Sequence, residues 1–214
     1  LDERLLTSPA VAIQQAQNAV EKMAARAARN YRAAMPLLAG YKDDAAAVVN
    51  QREDLIDRME VTLTNYLIKI SDRELGEMES HRANSLLAFV TEVERIGDYA
   101  INVTERAAEM RDKELTFSDQ AQRELQMLGN AIGEIIDLTV QAMHSGDAAT
   151  AAQVEPLEET VDTICETLRT RHIQRLKDGK CQLESGIIFL DVLTNLERIS
   201  DHCSNIAARL LGME

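Results

Sequence analysis

The chain has 214 residues with a formal net charge of -13, nine glycines, three prolines and only seven aromatic side chains, three Phe and four Tyr. So acidic a chain offers neither a basic footprint for phosphate backbones nor stacking platforms for bases, which excludes nucleic acid as a partner and points to cations and basic protein patches instead. Helix formers dominate and strand formers are scarce, so the expected fold is all-α, with length enough for one substantial core or two small ones.

Ser8 and Pro9 predict the start of a first helix, with serine as cap and proline at the first helical position, running to about Leu38. Pro36, Gly40 and Asp43-Asp44 then punctuate the chain. Val48, Val49, Ile56, Met59, Leu63, Tyr66 and Ile70 predict the apolar face of a second helix. Ser71-Asp72-Arg73-Glu74 has the spacing of a capping box and leads to a third helix ending near Arg111. The helical period lapses between Lys113 and Asp119, where Ser118 can cap a new helix, so residues 1–112 and 113–214 are expected to form two units. A fourth helix is expected to reach His144, a turn to occupy Ser145-Gly146-Asp147 and a fifth helix to span Ala148 to Leu176. Lys177-Asp178-Gly179-Lys180 leads to the sixth.

The two units repeat each other. Nine residues recur 103 positions apart: Leu87, Thr91, Glu94, Arg95, Ile96, Asp98, Asn102, Arg106 and Met110 return as Leu190, Thr194, Glu197, Arg198, Ile199, Asp201, Asn205, Arg209 and Met213. Glu53, Ile56 and Asp57 compare with Glu158, Val161 and Asp162, and Asn18-Ala19-Val20 compares loosely with Asn130-Ala131-Ile132. A chain made of two copies of one unit is read as a pair, and two tandem three-helix bundles packed up-and-down are predicted.

On the third helix Glu94, Asp98, Asn102 and Glu105 fall within about 80° of one another, opposite Val93, Ile96, Ala100, Val103 and Ala107. The sixth repeats this with Glu197, Asp201 and Asn205 opposite Val192, Leu196, Ile199, Cys203, Ile206 and Leu210, but carries Ala208 in place of Glu105. Glu53 and Asp57, then Glu158 and Asp162, lie four apart and are expected away from the apolar face of their helices. Carboxylates at that spacing repel unless a cation lies between them. Iron, manganese, magnesium or calcium accept such oxygen ligands, whereas zinc more commonly recruits nitrogen or sulfur, for which only His202 is near. The competing expectation is that Glu94 and Glu197 pair with arginines, and that Asn102 and Asn205 satisfy backbone or fix helix register. Ala208 predicts that the second unit holds metal less firmly.

His81, His144 and His172 are isolated from any acid or Cys at ligand spacing and are expected at the surface or in turns, and the eight Met residues as core filler. There is no phosphate loop, nucleophile elbow or His-Glu-x-x-His helix, so catalysis is not expected. Cys165, Cys181 and Cys203 are odd in number and form no Cys-x-x-Cys pair, which argues against a disulfide scaffold or structural zinc and for a reducing compartment. No long apolar run or cleavable signal occurs, and the chain opens on Leu1, as if cut from something longer.

The segments Glu94-Arg95-Ile96-Gly97-Asp98-Tyr99-Ala100-Ile101-Asn102-Val103 and Glu197-Arg198-Ile199-Ser200-Asp201-His202-Cys203-Ser204-Asn205-Ile206 resemble the repeated signature of PhoU domains, over nearly the whole chain. The resemblance implies tandem three-helix bundles that bind iron or zinc clusters on their surface. Carried over to matching positions, the implied contacts are Glu53, Asp57, Glu94, Asp98, Glu158, Asp162, Glu197 and Asp201. The opening Leu1 to Pro9 is similar to the junction after the membrane part of bacterial sodium/phosphate symporters with a C-terminal PhoU-like domain. That would make the chain a regulatory domain at the cytoplasmic face of the inner membrane, with the transporter's membrane domain as partner. The alternatives are a free-standing PhoU-type adaptor touching a phosphate transporter and a sensor kinase, and a metal-free helical module that forms homo-oligomers.

Overall fold

The computed structural model describes residues 1–212, so Met213, the repeat partner of Met110, lies outside the described residues. Six long helices carry the fold: α1 (Pro9–Ala34), α2 (Asp43–Ser71), α3 (Glu77–Asp112), α4 (Asp119–Ser145), α6 (Val154–Lys177) and α7 (Leu183–Leu210). A single turn, α5 (Ala148–Ala151), precedes α6, and short 3-10 turns at Glu3–Thr7 and Met35–Leu38 flank α1. Helices α1, α2 and α3 pack on one another as one bundle, and α4, α6 and α7 as a second. No strand occurs among the described residues, and the all-α tandem bundle expected from the repeat is what forms.

Several boundaries differ from the sequence expectation for local reasons. Helix α1 stops at Ala34 rather than Leu38, because Pro36 lacks the N–H that would continue the ladder, and the chain tightens into the 3-10 turn. Ser8 makes no side-chain cap bond; the cap belongs to the preceding turn, where Asp2 accepts from the Arg4 N–H at 3.0 Å. Ser71 is the last residue of α2 rather than a cap of α3, whose N-cap is Gly76, with the Glu79 carboxylate accepting from the Gly76 N–H at 3.2 Å. The expected fifth helix is broken after Ala151, since a proline at 156 is tolerated only in the first turn of a new helix. Ser118 caps α4 as expected, accepting from the Ala121 N–H at 3.3 Å, and Gly146 closes α4 in the left-handed region at φ 63°.

The apolar stripes predicted on α3 and α7 are buried, apart from Leu210, which is partly so. On α2, Val49, Ile56, Leu63, Tyr66 and Ile70 are buried and Met59 partly so, whereas Val48 is 42% exposed, one residue off the line. Two further residues oppose the expectation. Glu53 sits on the buried line of α2, spaced i+4 from Val49 and i−3 from Ile56, and is only 8% exposed. His172 is buried under Phe189, with ring centroids 4.2 Å apart, not at the surface. Methionines are mixed: Met23, Met110 and Met143 are core, while Met78 and Met127 are exposed.

The two bundles share one continuous core, joined where α3 packs along α7 and α1 along α4. At the α1–α4 contact the buried Tyr31 hydroxyl donates to the Gly129 carbonyl at 2.7 Å. Tyr31→Phe is expected to cost about 1 kcal/mol, seen as a lower urea midpoint at unchanged m-value.

Candidate metal centres

Helices α2 and α3 lie side by side, so the inward acid of α2 and the acids on the facing edge of α3 converge. One oxygen each of Glu53, Asp57 and Asp98 lie within 4.8 Å of one another, and in the second bundle Glu158, Asp162 and Asp201 do the same. Oxygens about 2.0–2.6 Å from a common cation can be at most about 5 Å apart, so each triad has the span for one hard ion. One carboxylate oxygen of a triad residue in each bundle, Glu53 Oε1 in the first and Asp162 Oδ1 in the second, is buried with no hydrogen-bond partner. An acceptor left so costs free energy until something electropositive meets it. The donor set in each triad is all carboxylate, which suits iron, manganese, magnesium or calcium better than zinc.

Electrostatics agree with the geometry. Burial, then Asp57, pushes Glu53 up to about 7 against the opposing hydrogen bond from Asn30. Burial and Asp98 raise Asp57; burial and Asp162 raise Glu158; burial and Asp201 raise Asp162. Without a counterion these carboxylates repel one another in partly desolvated surroundings.

The remaining expected ligands are not among the converging acids of the triads. Glu94 is beside the first, where burial and the Asp98 carboxylate one turn along the same helix raise it, and meets the exposed Arg95 at 3.7 Å. Glu197 is bound by Arg169 at 2.8 Å, as the arginine-pairing expectation had it. Asn102 and Asn205 serve the bundle interface instead of a stripe: Asn102 donates to Asn195 Oδ1 at 3.1 Å and Asn205 to Glu92 Oε2 at 3.1 Å. Glu105 is exposed and outside the triad, so Ala208 in its place removes nothing from the second site. His202 is turned to the interface too, its Nδ1 held by Glu92 at 2.6 Å and its ring stacked on Tyr99, its own repeat partner, at 5.6 Å.

Both halves of the chain match the family model described as PhoU domain, over residues 20–107 and 125–210. The chain belongs to the PhoU domain family. It is similar to the phosphate-specific transport system accessory protein PhoU homolog 1 of Thermotoga maritima, at 20% identity over 91% of this chain and 84% of that protein. Its fold is that of the crystal structure of PhoU from Pseudomonas aeruginosa, with a TM-score of 0.87 at 22% identity over 94% of this chain and 96% of that one. The phosphate transport system regulatory protein PhoU from Streptococcus pneumoniae superposes with a TM-score of 0.83 at 15% identity, over 95% of each chain.

Three residues of this PhoU-domain chain that set the surroundings of the candidate acids escaped the sequence reading. Asn30 on α1 is fully buried and donates Nδ2 to the Val49 carbonyl at 3.1 Å and to Glu53 Oε2 at 3.2 Å. A polar residue between Ala27 and Ala34 on the core line was the available signal. Gly97 on α3 leaves room for the Glu53 carboxylate, since a Cβ there would come within 2.6 Å of Oε1. Arg169 gave no signal, because its reach to Glu197 depends on the distance between α6 and α7.

Proposed function

We propose that the chain is a non-enzymatic regulator of phosphate transport that acts as an accessory protein, with hard divalent cations at its two acid triads and a transporter or sensor kinase as partner. The observation that carries the reading is the PhoU match in both halves, each half also bringing three carboxylates together in the same way. The relatives named above are accessory and regulatory proteins, which favours the adaptor reading over the symporter reading drawn from Leu1 to Pro9. No described helix is long and apolar enough to cross a membrane. The partner, if a transporter, would be met at the cytoplasmic face, where the acidic surface suits a basic patch. Iron fits the all-oxygen triads and the resemblance alike, while zinc fits the donors less well.

The test pairs the wild-type chain with an Asp57→Asn, Asp98→Asn, Asp162→Asn, Asp201→Asn variant, both purified without chelator or affinity-column metal. Elemental analysis is expected to find stoichiometric metal in the first and none in the second. Expressed in a bacterium lacking its own PhoU, the wild type is expected to restrain phosphate uptake and the variant to fail. A folded variant that restrains uptake as the wild type does would remove the triads from the regulatory function. Failure of the wild type to alter uptake in any host tested would remove the function itself.

A further inference from the structure

We propose that the two triads are unequal, and that Asn30 and Gly97 make the first the tighter site for a hard divalent cation. This rests on the cation reading above and goes beyond it by assigning rank and its cause. In the first bundle the Asn30 amide holds Glu53 Oε2 at 3.2 Å and leaves Oε1 without a hydrogen bond. Asn30 Oδ1 and Glu53 Oε1 are both buried acceptors without partners, in residues 0% and 8% exposed. The unpaired Glu53 oxygen calls for an electropositive guest, and the side chain that presents it is locked from two directions. Asn30 fixes it from α1, and the bare Gly97 backbone lets the carboxylate settle on α3. A carboxylate oriented before the ion arrives loses less freedom on binding it.

The second bundle also holds an unpaired buried oxygen, Asp162 Oδ1, but it has neither the amide nor the glycine. By the internal alignment Ala142 stands where Asn30 stands and Ser200 where Gly97 stands. Ser200 turns its hydroxyl to the Glu197 carbonyl at 2.8 Å, and Glu158 is only partly buried. The charge differs as well. Arg169 binds Glu197 at 2.8 Å, whereas its counterpart in α2 is Thr64, leaving Glu94 without an equivalent guanidinium from the neighbouring helix. Cys165 replaces Glu60, whose charge reaches Glu94 in the first bundle. More anionic charge and a stiffer ligand set both raise affinity for a hard cation. The inequality expected from Ala208 thus has the same direction but a different origin.

Manganese(II) titration of the chelator-stripped full chain by calorimetry tests this. Two classes of site at least tenfold apart are expected, with Asp57→Asn removing the tight class and Asp162→Asn the weak one. Gly97→Ser should weaken the tight class by tenfold or more and leave the weak class unchanged. Should Gly97→Ser not fold, Ser200→Gly combined with Arg169→Thr approaches from the other side and is expected to strengthen the weak class. Two classes of equal affinity, or a tight class removed by Asp162→Asn, overturn the ranking and leave the cation reading standing. No manganese bound by the wild type overturns the cation reading and the ranking with it.

Discussion

Replacing Arg175 by alanine is expected to cost about 3–5 kcal/mol of folding stability, because it strands a buried carboxylate. Arg175 on α6 and Glu124 on α4 form a two-pronged pair, Nη1 to Oε1 at 3.1 Å and Nη2 to Oε2 at 2.8 Å, with Glu124 only 7% exposed. Arg171 also reaches Glu124, at 3.9 Å, but is too exposed to replace the lost partner. His172 completes the cluster: Arg175 donates Nη2 toward its Nδ1 at 3.2 Å. Since arginine cannot accept, the imidazole proton must then sit on Nε2. Burial, then Arg175, pushes His172 down, so the ring is neutral and adds no competing charge.

The first bundle supplies the control. Ala12 and Ile70, both fully buried, stand at the places of Glu124 and Arg175 by the same internal alignment. The double change Glu124→Ala with Arg175→Ile should therefore lose far less than Arg175→Ala alone, since replacing a buried ion pair by apolar residues is often near neutral. Thermal unfolding of the metal-free protein reads the difference, at about 2–4 °C per kcal/mol for a chain of this size. A single change costing no more than the double would mean that water or Arg171 compensates Glu124.

Metal-free protein is expected to lose stability as pH rises from about 4.5 to about 7, through Glu53, whose ordinary value is 4.5 and which stands at about 7 in the fold. Below that window the group is protonated in both the folded and unfolded states and contributes nothing. Inside it the folded state binds more protons than the unfolded state, so stability falls with rising pH, and above it the full cost of the buried carboxylate is in place. The shift corresponds to about 3 kcal/mol at most. Solvent on the Asp57 side of the triad screens part of it, leaving about 1–2 kcal/mol. Glu53→Gln removes the Glu53 share of this slope and leaves that of Glu94, which burial also raises: at pH 8 the chelated variant should unfold several degrees above the chelated wild type, and at pH 4.5 the two should coincide. Saturating manganese should reverse the order at pH 8, because only the wild type keeps the full triad and gains from binding. Equal pH profiles for the two proteins would show that Glu53 reaches water.

The same residue marks where reading along the chain stops. The helical period of α3 and α7 was legible because apolar residues at i, i+3 and i+4 answer to the geometry of a single helix. The repeat of Glu94-Arg95-Ile96-x-Asp98 in Glu197-Arg198-Ile199-x-Asp201 was enough to predict two like bundles and the family. The acids at 53, 57, 98, 158, 162 and 201 were legible as candidates for the same reason, since i to i+4 spacing fixes which side chains share a face. How they divide was not legible. Glu53 could be placed on its true line only by noticing that it continues the buried row of Val49 and Ile56. Asn102 and Asn205 left the stripe because α3 packs along α7, a contact between residues far apart in the chain.

The sequence by itself therefore determined the helices, their pairing into two copies and the roster of acids, all of which follow from spacing within one helix. Only the tertiary structure decided which acids meet, that Asn30 and Gly97 seat Glu53, that Arg169 claims Glu197 and that His172 is buried. Those outcomes depend on the distance and rotation between neighbouring helices, which the packing of side chains from several segments sets together and no single segment encodes.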